Sequence, residues 1–196
     1  MPEPNPRRRR AVFIDKDGTL VENVPYNVDP SLVTFTPHAM QGLRLLSQHG
    51  YPLVVVSNQP GVALGYFDEA ALAGLRMVLM VRLASHGVRL AGFRCCPHAP
   101  DAGCSCRKPA PGLLLQAAAD LDLDLQRSWM VGDILDDVEA GHRAGCRSVL
   151  LDVGNETQWK RSPLREPEFR VANLLEAAET ILAADHVMSA SPRETT

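Results

Sequence analysis

The stretch Arg10-Ala11-Val12-Phe13-Ile14-Asp15-Lys16-Asp17-Gly18-Thr19 decides how the rest of the chain is understood. Four apolar residues run into two carboxylates one residue apart, and a glycine ends the run. The pattern predicts a buried strand that delivers acid to its own exit. In an open parallel α/β sheet, ligands bind beyond the carboxyl ends of the strands, so Asp15 and Asp17 stand where chemistry is expected. A strand ending in an Asp-rich turn satisfies the decapeptide equally well, and the downstream strands have to decide between the two.

Those strands repeat the pattern. Pro52-Leu53-Val54-Val55-Val56-Ser57 is a continuous β-branched run of the kind buried on both sheet faces, and it exits into Ser57-Asn58-Gln59-Pro60-Gly61. A hydroxyl, two amides and a glycine there suit phosphate oxygens or a plain turn. Ser128-Trp129-Met130-Val131-Gly132-Asp133 exits into Asp136 and Asp137, and Ser148 to Gly154 forms a further strand. A short strand is expected at Ala91 to Arg94. Between strands, helices are expected from Thr36-Pro37 to Gly50, from an Asp68 cap to Gly87, from Pro111 to Leu121, before Gly145, and on the surface from Asn173 to Ala183. Strict alternation predicts an α/β fold: a doubly wound, mostly parallel sheet with helices on both faces.

A chain of 196 residues, 45% apolar, is long enough for one well-buried core. We expect a flexible basic tail over 1–10, a single domain over 11–186, and a flexible tail over 187–196. Arg7 to Arg10 offer either a nucleic-acid arm or a solvated tail, and the net charge of -3 does not call for nucleic acid. There is no signal-peptide core and no apolar span of membrane length, which predicts a soluble, cytoplasmic protein. With no exposed apolar stripe evident, a monomer is expected.

The strand exits collect Asp15, Asp17, Ser57, Asp133, Asp136 and Asp137, with Lys108 in the loop before a helix. Carboxylates that face one another need a cation, and Mg²⁺ suits them because it takes few carboxylates and completes its shell with water and phosphate. Four of the five cysteines lie between Cys95 and Cys106. Cys96-Pro97-His98, five residues, then Cys104-Ser105-Cys106 supply three thiolates and an imidazole, the ligand set of a structural Zn²⁺. Cys95 is the alternative to Cys96, and Cys146 reads as a small buried apolar residue.

Asp15-Lys16-Asp17-Gly18-Thr19, Ser57-Asn58, Lys108 and Gly132-Asp133 with Asp137 resemble, in order, the motifs of the haloacid-dehalogenase-like (HAD) phosphatases. The cysteine cluster and the Arg107-Lys108-Pro109 run resemble that family's zinc-bearing branch, in which a short zinc loop, here 95–109, stands in for a large cap domain. The resemblance implies a Mg²⁺-dependent phosphomonoesterase. Asp15 would be the nucleophile that forms an aspartyl-phosphate and Asp17 the acid and base, with Ser57 and Lys108 on the phosphoryl oxygens. Mg²⁺ would sit on Asp15, Asp133 and the Asp17 main-chain carbonyl, Asp137 would support Lys108 or the metal waters, and Asp136 would be solvated. Arg107, Asn23, Tyr26, Asn58 and Gln59 would meet the substrate, a small phosphorylated sugar or amino alcohol. Heptose 1,7-bisphosphate is preferred and histidinol phosphate is the alternative, with a nucleic-acid 3′-phosphatase and a non-catalytic zinc-stabilised binding module behind them. Two features depart from the heptose type: the zinc loop is short, and Ile134 stands where the branch commonly carries Lys or Arg.

Overall fold

The computed structural model describes residues 8–190, with side chains through Val187. Arg7 and residues 191–196 of the expected tails lie outside it. Six strands alternate with five helices: β1 (Val12–Ile14), α1 (Ala39–Gln48), β2 (Leu53–Asn58), α2 (Glu69–Ser85), β3 (Gly92–Cys96), α3 (Gly112–Leu121), β4 (Trp129–Gly132), α4 (Leu135–Ala144), β5 (Arg147–Leu151), β6 (Phe169–Val171) and α5 (Leu174–Ala190). The sheet order is β3-β2-β1-β4-β5-β6 and every pairing is parallel. Connections step outward from β1 to one side and then, from β4, to the other. The crevice at that reversal, beyond the ends of β1 and β4, is where such a sheet binds its ligand.

Period-two alternation divides the core. Val12, Ile14, Val55, Val131 and Val149 face one layer, with leucines of α1 and α2 and the apolar side of α5. Phe13, Val54, Val56 and Met130 face the other, against Leu113, Leu114 and Ala117 of α3 and Ala140 and Ala144 of α4. Both faces are covered, as the unbroken β-branched runs require.

Several expected boundaries move. α1 begins at Ala39, not at Pro37, because the Thr36 hydroxyl donates to the Thr19 carbonyl at 2.6 Å and His38 takes the N-cap position in a left-handed conformation. The expected cap at Asp68 is present, its carboxylate accepting from the Ala71 N–H at 2.8 Å. β6 has only three residues and no apolar run of its own, and α5 extends past Ala183 to Ala190, so 187–190 are helical and not tail. Nor is α5 only a surface helix, since Leu174, Ala177, Ala178 and Ile181 are buried in the core. α2 also differs from expectation: Met77, Met80 and Val81 are exposed, so the premise for a monomer does not hold.

The described part of the arginine run is neither an arm nor a free tail. Arg8 pairs with Asp122 at 2.9 Å, Arg9 bridges to Leu123, and Arg10 pairs with Asp185 of α5 at 3.1 Å. Asp185 is buried among donors. It accepts from the Tyr51 hydroxyl at 2.6 Å and from the Trp129 indole at 3.3 Å, and it pairs with Arg147, whose guanidinium lies 3.8 Å over the Trp129 ring. This carboxylate fastens the last helix to the entry side of the sheet, away from the strand exits. Removing one partner of a buried ion pair leaves the others desolvated and uncompensated. Asp185→Ala is expected to lower unfolding stability by about 3 kcal/mol in urea titration.

Candidate functional site

Asp15 follows β1 directly, and its N–H donates to the Val131 carbonyl of β4 at 2.9 Å, which holds the nucleophile candidate at the reversal point. The Lys108 side chain is 3% exposed and reaches this point from the loop before α3. Its ammonium donates to the Val56 carbonyl at 3.0 Å, pairs with Asp15, and lies 2.6 Å from Asp137 Oδ1 in the first turn of α4. Burial alone would lower the Lys108 pKa. The carboxylates of Asp137 and Asp15 outweigh it and hold the ammonium above the usual lysine range, so the cation persists.

Acidity at the site follows from burial. Asp133 is pushed up to about 6, by burial first and then by the charge of Asp15. Asp137 rises to about 8, again chiefly from burial, against the opposing Lys108 cation. Oxygens of Asp15, Asp133 and Asp137 lie within 4.8 Å of one another. Three buried carboxylates held this close carry more negative charge than one lysine offsets. A hard divalent cation with an oxygen preference fits the donor set and would draw these pKa values back down.

Asp17 stands apart from this cluster. Its Oδ1 is 2.6 Å from the Lys16 ammonium and its Oδ2 accepts from Gln59 Nε2 at 2.8 Å. Burial raises it above the ordinary carboxylate range against the pull of Lys16. A carboxyl whose burial weakens its acidity has the property a general acid needs. Gln59 also donates to Ser57 Oγ at 2.8 Å, so one buried amide ties the acid to the hydroxyl at the end of β2.

The remaining candidates divide. The Asn58 amide bonds both the N–H and the carbonyl of Lys108, at 3.0 Å each, so it clamps the lysine backbone and does not face a ligand. Asn23 and Tyr26 are exposed; Tyr26, left-handed at φ 54, lies 4.6 Å from the Tyr66 ring. Arg107 borders a cavity of about 460 Å³ with Lys108, Ala110, Asp136 and Arg143, and its buried Nη1 has no hydrogen-bond partner. Asp136 remains partly exposed, as expected of a solvated residue, and also pairs with Arg165 at 2.6 Å. Ile134 lines a second cavity of about 480 Å³ into which the β5–β6 connection brings Lys160 and Arg165.

Lys16, Thr19 and Asn155 are the residues that motif reasoning left without a role. The Thr19 hydroxyl and the Asn155 amide donate to the two oxygens of Asp133 at 2.9 and 2.8 Å. Gly18, at φ +90, is required beside them, since a Cβ there would lie 2.2 Å from Asp133 and 2.6 Å from Asn155. Asn155 sits in a connection without sequence periodicity, so only the fold reveals it.

Cys96, His98, Cys104 and Cys106 form the second cluster, on the loop that carries Lys108. All five cysteines are free thiols. Sγ–Sγ spacings run from 3.1 to 3.6 Å, and His98 Nδ1 lies 3.1 Å from Cys106 and 3.4 Å from Cys96. A tetrahedron built on bonds of 2.0–2.3 Å has edges of roughly 3.5–3.8 Å, so the four donors fit a zinc-sized ion with small movement. Cys95 alternates to the opposite face of β3 and packs in the other core layer, which excludes it. Cys146 is buried.

The β5–β6 connection that carries Asn155 is pinned by His142 of α4. Its Nδ1 faces the Leu164 carbonyl at 2.9 Å and its Nε2 faces Glu168 at 3.1 Å. The Ser148 hydroxyl also lies 3.0 Å from Nε2; hydrogen bonding to Glu168 raises the His142 pKa, and against burial, which would raise it, His142 and Ser148 help hold Glu168 down at about 2. The His142 contribution to stability is therefore complete below its ordinary value near 6.5 and is lost as pH rises through the raised native value. Melting temperature followed upward from pH 6 should fall for the wild-type chain relative to His142→Gln, which lacks this titration.

Comparison with known proteins follows the same lines. A family model described as HAD-hydrolase-like matches residues 105–178. The D-glycero-β-D-manno-heptose-1,7-bisphosphate 7-phosphatase of Pseudomonas aeruginosa is 33% identical over 175 residues, 89% of this chain and 98% of that one. The protein of the same name from Photorhabdus laumondii is 40% identical over 72% of this chain and 79% of its own. The crystal structure of the D,D-heptose 1,7-bisphosphate phosphatase of B. bronchiseptica, complexed with magnesium and phosphate, superposes with a TM-score of 0.81 at 32% identity, over 89% of this chain and 99% of that one.

Proposed function

The chain belongs to the HAD-like hydrolases, as a phosphatase, and from that premise we propose that it removes the 7-phosphate of D-glycero-D-manno-heptose 1,7-bisphosphate through an aspartyl-phosphate on Asp15. The observation that carries the mechanism is the buried Lys108 ammonium between Asp15 and Asp137, beside an Asp17 whose pKa is raised.

In this reading Lys108 orients Asp15 and meets the phosphoryl oxygens, with the Ser57 hydroxyl on the other side. Asp15 attacks phosphorus and the bond to the leaving oxygen breaks. Asp17 gives that oxygen its proton, and in the second step takes one from the water that cleaves the acyl phosphate. Gln59 and Lys16 hold Asp17 for both transfers. Asp15, Asp133 and the Asp17 main-chain carbonyl would hold Mg²⁺, which when bound offsets the charge of nucleophile and phosphate together. Asp137, Thr19 and Asn155 keep the lysine and the metal carboxylate in place.

The names of the relatives support the heptose substrate, and so does Arg107, whose unpartnered buried guanidinium nitrogen suits a second phosphate. Histidinol phosphate is the second reading, favoured by the five-residue spacing of the zinc loop. Phosphate release from the two substrates, compared as kcat/KM with Mg²⁺ present, should favour the bisphosphate by two decades or more, roughly 3 kcal/mol. The reverse preference would move the assignment to histidinol phosphate, and turnover by Asp15→Asn would remove the covalent route.

We further propose that Cys96, His98, Cys104 and Cys106 hold a structural Zn²⁺ that shapes the loop presenting Arg107 and Lys108. Stripping zinc with a thiol-compatible chelator should lower the melting temperature by several degrees, because metal binding energy is folding energy. An unchanged melting temperature after metal analysis confirms removal would sink the structural role.

A further inference from the structure

α2 is apolar on two opposite sides. Leu75, Leu79 and Leu83 face the core. Ala70, Ala73, Gly74, Met77, Met80, Val81 and Ala84 recur at three- and four-residue intervals on the other side and are all exposed, Met77 at 60% and Val81 at 61%. An amphipathic surface helix carries charge on its outer face, and a helix apolar all round is one that something covers. The flanking cations do not interrupt the stripe. Arg82 turns back to donate to the Val33 carbonyl at 2.9 Å, and Arg76 lies to one side of the line through Ala73, Met77 and Val81.

Two features indicate what covers it. The stripe is self-complementary about its midpoint, because α2 spans Glu69–Ser85 and Met77 is its central residue. Antiparallel pairing of two such helices through a two-fold axis at Met77 sets the small residues Ala73 and Gly74 of one against the large Met80 and Val81 of the other. Ala70 then meets Ala84. Gly74 is otherwise unexplained: a Cβ at that position would meet nothing in its own fold, and glycine inside a helix costs about 0.5–1 kcal/mol relative to alanine. Charge follows the same symmetry. Asp68 and Glu69 lie at the N-terminal end and His86 and Arg89 beyond the C-terminal end, so the antiparallel arrangement brings acid to base while a parallel one would oppose like charges. Leu32 is also exposed, in a short helical turn (Pro30–Leu32) that packs on α2.

We propose that the outer face of α2 docks a second copy of this chain, antiparallel, across a two-fold axis at Met77. An isologous contact of this kind closes on itself and stops at two copies. A helix pair with one added leucine falls at the small end of specific interfaces, below about 1,200 Å² in total, so the dimer dissociates on dilution. The proposal is independent of the substrate assignment.

The test is sedimentation velocity on the full chain from about 5 to about 500 µM, a range that brackets micromolar association, for the wild type and for Met77→Glu. The wild type should move from one to two chain masses across the range. Met77→Glu, which sets two carboxylates face to face on the axis, should stay at one chain mass while releasing phosphate at the wild-type rate. Gly74→Leu supplies a variant with better helix propensity: it should keep or raise the melting temperature of the dilute protein and still weaken the dimer at least tenfold. A single chain mass throughout, or a dimer that both variants leave intact, would overturn the proposal. So would co-sedimentation of the wild-type chain with lipid vesicles as a monomer through the same face.

Discussion

The site depends on one buried cation. Moving an ammonium out of water costs several kcal/mol even after relaxation, and the cost is offset only where opposite charge and hydrogen-bond acceptors are already in place. Lys108 finds Asp15 from β1, Asp137 from α4 and the Val56 carbonyl from β2, so three elements must be in register before it can enter. Remove the lysine and the buried carboxylates of Asp15 and Asp137 are left without their counter-charge. Remove either carboxylate and the lysine is buried with half its compensation. Precise sheet packing thereby becomes precise placement of reacting groups.

That dependence explains why so much structure serves a loop. Lys108 lies outside every strand and helix and is positioned by attachments on both sides. The Asn58 amide grips its backbone, and the Cys96, His98, Cys104 and Cys106 cluster shapes the turn before it. Short loops with few apolar residues order poorly by themselves. The Asn58 amide is a polar fastening where a hydrophobic core would serve elsewhere, and the cavity beside Arg107 adjoins it.

Where the physics is local, the sequence displays it. The β-branched runs of β1, β2 and β4 and the acids at their exits announce a parallel sheet with its chemistry at the strand ends, and the Cys and His spacing announces a tetrahedral donor set. What needed coordinates is what arises between distant segments. β6 has three residues and no pattern, because neighbouring strands define it. Lys16 looks like a spacer between two aspartates until its ammonium is found on Asp17, and Asn155 looks like loop until its amide is found on Asp133. Arg8 to Arg10 look like a free tail because their partners, Asp122, Leu123 and Asp185, come more than a hundred residues later. Met77 and Met80 on the outer face of α2 carry nothing in the sequence that separates them from the core leucines recurring at the same spacing.

The carboxylate of Asp185 bears on the order in which the protein is made. Tyr51 and Asp185 are 134 residues apart, and Arg10 lies further away still. A contact of that span closes a long loop, and its entropy is lost before the contact returns anything. On a ribosome, β1 through β5 emerge while the last helix is still in the exit tunnel, so Arg147, Tyr51 and Trp129 wait in a nearly complete domain without the acid that satisfies them. Every residue placed at the strand exits precedes α5 in the chain.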